Sequence, residues 1–465
     1  MLFNSYQYLL ILLPVSLAVY FILNKKKLTT ASRVWLVLAS LFFYCWWNVL
    51  YLPLMLGSIL FNYVLGSALT TSAIARYKAR EVNRRILLTI GVAANLGLLG
   101  YFKYADFFIT NANSFFGADM GLLHLALPLG ISFFTFTQIA YLVDSYRGDA
   151  KEYDPINYAL FVTFFPHLIA GPIIHHKEMM PQFKAARSKV LNYKNISTGL
   201  FILSIGLFKK VVIADTFAVW ATYGFDKATT LTLIEGWSAA LSYTFQIYFD
   251  FSGYTDMAIG SALMFNIVLP PNFNSPYKAT SVREFWRRWH MTLSRFLRDY
   301  VYIPLGGNRS GEARTCLNLV ATFFLGGLWH GASWMFVVWG MLHGIALVAG
   351  RVWERTGLKL NQYIAWFLTF NFVCITWVFF RAKSGRDAEK VLKAMFGMNG
   401  YDPHASGKAL APICAALLLV ILVRNSGELA KSFKPSLRTL AVAGCIAAYA
   451  LLNMNRISDF LYFNF

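Results

Sequence analysis

The stretch CLNLVATFFLGGLWHGASWMFVVWGMLHGIALVAG, residues 316–350, is an apolar run of 35 residues. A helix that crosses a bilayer needs about 20 such residues, so this run has room for two crossings, or for one crossing and a re-entrant piece. A second long run covers residues 233–269, and others recur along the whole chain. Only 14% of the residues are charged, whereas soluble domains carry about 25%. The sequence therefore predicts an integral membrane protein.

The predicted fold class is all-α. A transmembrane β-barrel would need strands of about 10 residues that alternate apolar and polar side chains, and the apolar runs here are continuous. No extended hydrophilic segment could form a separate globular domain. We therefore expect a single polytopic membrane domain over residues 1–465, with about 10–12 transmembrane helices and additional re-entrant or interfacial helices.

The formal net charge of +20 comes from 42 basic and 22 acidic residues. In a soluble protein such a charge suggests nucleic acid. Here the basic residues stand in short loops between apolar runs, which is the pattern of cytoplasmic loops in membrane proteins. We therefore expect a lipid bilayer and no nucleic acid as partner. Four basic clusters are expected on the cytoplasmic side: 25–27, 76–85, 381–393 and 424–438.

One strongly amphipathic segment, SVREFWRRWHMTLSRFLRDYVYIPLGGNR, covers residues 281–309. Ser281 followed by Glu284 is typical of a helix start with a capping box. A helical wheel places one apolar stripe along Phe285, Trp289, Leu293, Phe296 and Tyr300. It gathers four arginines on the opposite side, Arg287, Arg288, Arg295 and Arg298. A basic helix with an aromatic face favours the membrane interface, so we expect a cytoplasmic-side interfacial helix and loop, with His290 at the edge of the stripe.

His330 stands in GGLWHGASW, residues 326–334, inside the 316–350 segment. An ionisable side chain within a membrane segment is costly and indicates function by default. The small residues around it let either helix backbones or a substrate approach closely. The alternative is an imidazole that merely hydrogen-bonds a neighbouring helix, and we favour that interpretation for His167 and His343.

Two acids, Asp250 and Asp256, interrupt the aromatic run QIYFDFSGYTDMAIG, residues 246–260. Either they pair with the arginine-rich segment that follows, or they line a polar cavity. No HExxH pair, Cys/His cluster, phosphate-binding loop or hydrolase nucleophile motif is present. We therefore expect no metal site and no bound cofactor.

Three stretches together carry a resemblance to a known family: QIYFDFSGYTDMAIG, REFWRRWHMTLSRFLRDYVYIPLGGNR and FFLGGLWHGASWMFVVWGMLHG (residues 246–260, 283–309 and 323–344). They resemble the membrane-bound O-acyltransferase family, most closely its bacterial branch that contains the alginate O-acetylation membrane protein. Proteins that transfer D-alanine to teichoic acid are more distantly similar.

This resemblance implies a bundle of helices around a central funnel or channel, which an acyl group enters from a cytoplasmic thioester such as acetyl-CoA. It implies that His330 is the essential catalytic residue and that His290 is its usual second partner. The acceptor in the acetylating branch is generally a separate extracytoplasmic serine-esterase-like (SGNH-type) acetyltransferase. Six further residues are candidates for the substrate path: Trp329, Asp250, Asp256, Trp286, Arg287 and Ser333.

The chemistry of these residues fits acyl transfer, because an imidazole can take the proton of an attacking hydroxyl near neutral pH. The arginines of 281–309 could attract a phosphate-bearing donor or serve only as positive-inside anchors. We expect O-acetylation of an alginate-like extracytoplasmic polysaccharide from the bacterial inner membrane. The alternatives are peptidoglycan or cellulose as acceptor, or a transporter that moves a lipid or sugar without acyl chemistry.

Overall fold

The computed structural model describes residues 1–70, 84–152, 154–402, 407–454 and 461. Within these ranges it contains helices and no strand, which confirms the all-α prediction. The α-helices, numbered in chain order, are α1 Leu13–Lys25, α2 Thr29–Cys45, α3 Leu52–Leu69, α4 Arg84–Phe116, α5 Ile131–Arg147, α6 Pro155–Thr163, α7 Phe165–Leu168, α8 His176–Lys184, α9 Tyr193–Phe208, α10 Asp215–Thr222, α11 Leu233–Met264, α12 Val282–Arg288, α13 Met291–Leu297, α14 Glu312–His330, α15 Trp334–Arg355, α16 Gln362–Arg381, α17 Gly385–Met395, α18 Gly407–Leu422, α19 Ser426–Lys431 and α20 Leu437–Asn453.

Shorter helical turns join or extend these helices. The π-helical turns are Gln7–Leu12, Lys209–Ala214, Tyr223–Lys227 and Arg298–Tyr302, and the 3₁₀ turns are Val49–Tyr51, Ala186–Lys189 and Pro276–Lys278. The turn Lys209–Ala214 directly continues α9 and carries the buried Lys210, which pairs with Asp250.

Six helical segments in the described ranges are long and apolar enough to cross a membrane: Gln7–Lys25, Val49–Leu69, Arg84–Phe116, Tyr193–Lys227, Trp334–Thr356 and Gln362–Arg381. Three shorter apolar helices cover Thr29–Cys45, Lys408–Leu422 and Leu437–Asn453. The protein is thus a multi-pass membrane protein, and the number of crossings stays a prediction. Most of the basic cluster 76–85 lies outside the described residues.

The chain divides into two compact units. The first unit comprises Met1–Leu203 and Tyr254–Pro270. Within it α5 buries side chains around its whole circumference, which is typical of a helix inside a bundle. An aromatic cluster anchors the N-terminus, where Phe3 stacks on Tyr254 with ring centroids 4.7 Å apart.

The second unit comprises Ser204–Gly253 and Pro271–Phe465, and its central packing is the hairpin of α14 and α15. A methyl group built on Gly327 would lie 2.3 Å from the carbonyl oxygen of Phe336. One built on Gly340 would lie 2.3 Å from the carbonyl oxygen of Phe323. Glycine at both positions lets the two helix backbones touch. Of the two roles expected for the small residues near His330, close backbone approach is the one that Gly327 fulfils.

The segment 281–309 is not one continuous helix, as the wheel suggested, because the chain breaks between α12 and α13 at Trp289 and His290. The helix start is as predicted in part: the Ser281 hydroxyl accepts from the Glu284 N–H at 3.1 Å. The Glu284 carboxylate, however, accepts from Thr280 and not from the Ser281 backbone. The predicted stripe is buried from Phe285 to Phe296, while Tyr300 is half-buried.

Substituting Gly327 by alanine should lower the thermal stability of the protein, by about 1–3 kcal/mol, because the new methyl group meets a backbone carbonyl that cannot rotate away. Gly350→Ala is the matched control, since it lies on α15 and its methyl group would meet open space. Thermal unfolding of the detergent-solubilised variants measures both effects. Equal unfolding temperatures for Gly327→Ala and Gly350→Ala would contradict the packing described.

Candidate active site

His330 is the last residue of α14, and the chain turns extended at Gly331 directly after it. Its side chain is buried, with 2% of the residue exposed. Three aromatic rings surround the imidazole with centroids about 5 Å away: Trp329 at 4.9 Å, Phe380 at 5.0 Å and Trp339 at 5.1 Å, the last perpendicular to it. We call these three rings the aromatic box. The box gives His330 a mostly apolar, water-poor environment.

His290 lies at the break between α12 and α13, in a left-handed backbone conformation with φ of +43°. Such a conformation is strained for a residue other than glycine and persists only where the surroundings enforce it. Asn272 provides that enforcement: its carbonyl oxygen accepts from the Met291 N–H at 3.0 Å. Its side-chain oxygen accepts from the Thr292 N–H at 3.2 Å and from the Thr292 hydroxyl at 2.9 Å.

The same Asn272 oxygen fixes the tautomer of His290. Because the Thr292 N–H is an unambiguous donor, the atom facing it is Oδ1 of the amide. His290 Nδ1 lies 3.1 Å from that oxygen and must therefore carry the hydrogen. Complete burial lowers the pKa of His290 to about 3. The ring is thus neutral near pH 7, with its Nε2 lone pair directed away from Asn272.

Trp329 brings the two predicted histidines together. Its ring centroid lies 4.9 Å from that of His330 and 6.0 Å from that of His290. Phe251 packs edge-on against His290, with the two ring centroids 4.7 Å apart. Residues that stand 40 positions apart in the sequence, His290 and His330, therefore contact the same indole.

Trp286 and Arg287 line a separate cavity of about 640 Å³ in the same unit. Five arginines contribute to its wall, together with apolar side chains that include Leu297, Phe323 and Leu347: Arg283, Arg287, Arg295, Arg298 and Arg351. Arg283 pairs with Glu354 at 2.8 Å, and Arg351 pairs with Glu312 at 2.8 Å. Arg287 is exposed and forms no ion pair within the part of the chain that the structure describes. The cavity therefore combines cationic and apolar lining.

Asp250 is buried in α11, and its partner is a lysine and not the arginine-rich segment as expected. Asp250 Oδ1 lies 2.6 Å from Lys210 Nζ, which also lies 3.1 Å from Asp215 Oδ1. The Leu461 N–H donates to Asp250 Oδ2 at 3.1 Å. Periodicity could not reveal Lys210 as the partner, because it stands 40 residues earlier in the chain.

The remaining two candidates lie elsewhere. Ser333 caps α15, with its hydroxyl accepting from the Met335 N–H at 3.2 Å, so its visible role is to start that helix. Asp256 is buried and belongs to the first unit, whereas His290 and His330 belong to the second. Their place on a substrate path stays a prediction.

The sequence did not indicate Asn272 as a residue of this region, and it indicated a packing role for His343 without showing that Trp286 is its hydrogen-bonding partner. Asn272 stands in PPNFNSP, a run that signals only a broken helix. The signal that the sequence offered for Asn272 is a polar side chain directly after two prolines, where the chain leaves a helix.

Replacing Asn272 by leucine should reduce both stability and acyl transfer. The change leaves His290 Nδ1–H and the Thr292 N–H buried without their acceptor, at a cost of about 1–3 kcal/mol for each group. Thr292→Val is the control, because it removes one donor and keeps the acceptor of His290. Thermal unfolding and transfer assays on both variants check this expectation. A stable, fully active Asn272→Leu variant would show that the hydrogen bonds to the Asn272 side chain are not needed to hold His290 in place.

Comparison with known proteins identifies the family of this chain. Residues 17–384 match the family model of membrane-bound O-acyltransferases. The chain is 52% identical over 430 residues to a peptidoglycan O-acetyltransferase of Helicobacter pylori, which covers 86% of this chain and 80% of that protein. It is 41% identical over 407 residues to a probable alginate O-acetylase of Pseudomonas aeruginosa, covering 86% and 76% respectively.

A more distant relative is a teichoic acid D-alanyltransferase of Bacillus subtilis, 27% identical over 271 residues, or 55% of this chain and 69% of that protein. The family model spans most of the chain, including both histidines and the α14–α15 hairpin. The resemblance drawn from the three motifs is thereby confirmed. The protein is an acyltransferase and belongs to the membrane-bound O-acyltransferase family.

Proposed function

We propose that this acyltransferase moves an acetyl group from a cytoplasmic thioester to an extracytoplasmic glycan, with His330 as general base and His290 as its supporting partner. The observation that carries the proposal is the convergence of both imidazoles on Trp329, each fully buried. A neutral buried imidazole is suited to accept the proton of a hydroxyl as that hydroxyl attacks a carbonyl.

The proposed step balances without a cofactor. The acceptor oxygen forms a bond to the thioester carbonyl carbon while its proton passes to the His330 imidazole. The carbon–sulfur bond then breaks, and the departing thiolate takes the proton back from the imidazolium. The aromatic box excludes water from His330, which protects the thioester from hydrolysis and strengthens any hydrogen bond to the developing oxyanion.

We propose that the phosphates of the donor bind in the arginine-lined cavity. Arginine binds phosphate oxygens through paired hydrogen bonds, and Arg287 offers a charge that no described carboxylate neutralises. The apolar part of the lining suits the thioester arm of acetyl-CoA or of a similar phosphate-bearing donor. Positive-inside anchoring remains an additional role for the same arginines.

For the acceptor, the similarities favour peptidoglycan over the alginate-like polysaccharide expected from the motifs. The relative whose printed function is peptidoglycan O-acetylation is 52% identical, against 41% for the probable alginate O-acetylase. We place the protein in the bacterial inner membrane. We propose that a separate extracytoplasmic SGNH-type acetyltransferase receives the acetyl group and passes it to the glycan.

Mass spectrometry of the cell-wall muropeptides and of the secreted polysaccharide tests the proposal. Cells that lack the gene should lose O-acetyl groups from the muropeptides and regain them when the full chain is restored. Loss from the secreted polysaccharide alone would select the alginate-like acceptor. Unchanged acetylation of both polymers would contradict the proposed function.

A further inference from the structure

His343 takes part in a hydrogen-bond chain whose direction is fully determined. The Trp286 indole N–H, which can only donate, lies 3.1 Å from His343 Nδ1. His343 Nδ1 is therefore the acceptor, and its hydrogen stands on Nε2, which lies 3.0 Å from the Thr376 hydroxyl oxygen. That hydroxyl gives its own hydrogen to the Val373 carbonyl at 2.9 Å.

Every member of this chain is buried: His343 and Thr376 are exposed by 0% and 1%, and Trp286 by 8%. Both ring nitrogens of His343 are thus engaged, one as acceptor and one as donor. A histidine held in this way is not available as a base, but it fixes the orientation of the indole that donates to it.

Trp286 contacts both the arginine-lined cavity and the aromatic box in the second unit. One part of its ring lines the arginine-lined cavity. The ring also packs 5.7 Å from Trp339, the member of the aromatic box that stands perpendicular to His330. Trp286 therefore contacts both the cavity and the ring that packs on His330.

We infer that His343 is a positioning residue and that Trp286, which it holds, determines the length of the acyl group transferred. The inference rests on the proposed function. In this proposal a thioester whose phosphates lie among the arginines passes the indoles of Trp286 and Trp339 as its carbonyl reaches His330. In this proposal the fixed Trp286 indole admits an acetyl group to His330, and a longer acyl chain collides with the two indoles.

The inference is tested with membranes that contain the full chain and with acetyl-, butyryl- and hexanoyl-CoA as donor probes. Trp286→Ala should raise the ratio of butyryl to acetyl transfer about tenfold or more, since one methylene in an apolar pocket is worth about 10–200-fold in specificity. His343→Leu, which removes the acceptor of Trp286, should shift the ratio in the same direction. His343→Asn is the conservative variant, because its amide oxygen can still accept from Trp286, and it should keep the acetyl preference.

A purely structural role for these residues would lower transfer of all three donors equally, and an unchanged ratio in Trp286→Ala and His343→Leu would overturn the inference. If the unmodified chain transfers no acyl group from any of the three probes, the result contradicts the proposed acyl-CoA donor, which is part of the proposed function. Cryo-electron microscopy of His343→Leu tests the positioning role without any donor. We expect a displaced Trp286 indole, and an indole that keeps its orientation would overturn the inference.

Discussion

Replacing His330 by glutamine should lower acyl transfer by at least about 100-fold while the protein stays folded, since a positioned general base contributes about 10²–10⁴-fold. Glutamine is close to imidazole in size and polarity, so the aromatic box formed by Trp329, Trp339 and Phe380 keeps most of its packing. What it cannot do is accept a proton reversibly near neutral pH. Transfer of a labelled acetyl group, measured with equal amounts of protein, checks the expectation.

His167→Gln is the matched control, because His167 is also a buried histidine but lies in the first unit, outside the candidate site. It removes a buried imidazole without touching the aromatic box, so acyl transfer should stay close to that of the unmodified chain. Size-exclusion profiles and unfolding temperatures show whether each variant is folded. A folded His330→Gln protein with full transfer would refute the assigned base.

Replacing Lys210 by methionine should be among the most destabilising single changes in the second unit, at a cost of about 3–5 kcal/mol. The lysine ammonium lies between the carboxylates of Asp215 and Asp250, and its side chain is only 3% exposed. Without it, the buried carboxylate of Asp250 and the carboxylate of Asp215, with side chains 2% and 10% exposed, both lose their cation. The unfolding temperature in detergent should fall sharply, with lower yields of folded protein.

Asp250→Asn is the matched variant for this pair. It leaves Lys210 with one carboxylate partner, Asp215, so the site stays electrically balanced and the loss of stability should be smaller than for Lys210→Met. The double variant Lys210→Met with Asp250→Asn should be more stable than Lys210→Met alone. If the two single changes cost the same and their effects simply add, the ion pair is not what stabilises this part of the fold.

Local patterns in the sequence predicted much of the architecture. The apolar run 316–350, with room for two crossings or for one crossing and a re-entrant piece, folds as the α14–α15 hairpin, in which α15 is long and apolar enough to cross a membrane. Ser281 begins α12 as expected from its capping chemistry. The three motifs indicated the family, which the comparisons confirm, and they directed attention to His290 and His330.

Sequence patterns could not predict the features that depend on contacts between residues far apart in the chain. The helical wheel treats 281–309 as continuous, but the backbone and side chain of Asn272 hold His290 in a left-handed turn. Tertiary packing here overrides the amphipathic period. Likewise, an acid in an aromatic run shows that a partner is needed, but only the packing of α11 against the turn after α9 shows that Lys210 is that partner.

His343 illustrates the same limit at the level of one side chain. Sequence favoured a packing role for it, and its hydrogen bonds are indeed to neighbouring helices. What sequence could not show is that one of those neighbours is Trp286, which also lines the arginine-lined cavity.

Sealed inside-out membrane vesicles, supplied externally with acetyl-CoA labelled in its acetyl group, measure whether His330 catalyses acyl transfer across the membrane. We expect label to appear as an ester on the acceptor inside the vesicles when the unmodified chain is present, and almost no label in vesicles with His330→Gln. Equal labelling with both proteins would contradict the role of His330. Passage of a lipid or sugar into the vesicles without any transfer of label would contradict acyl chemistry and favour a transporter.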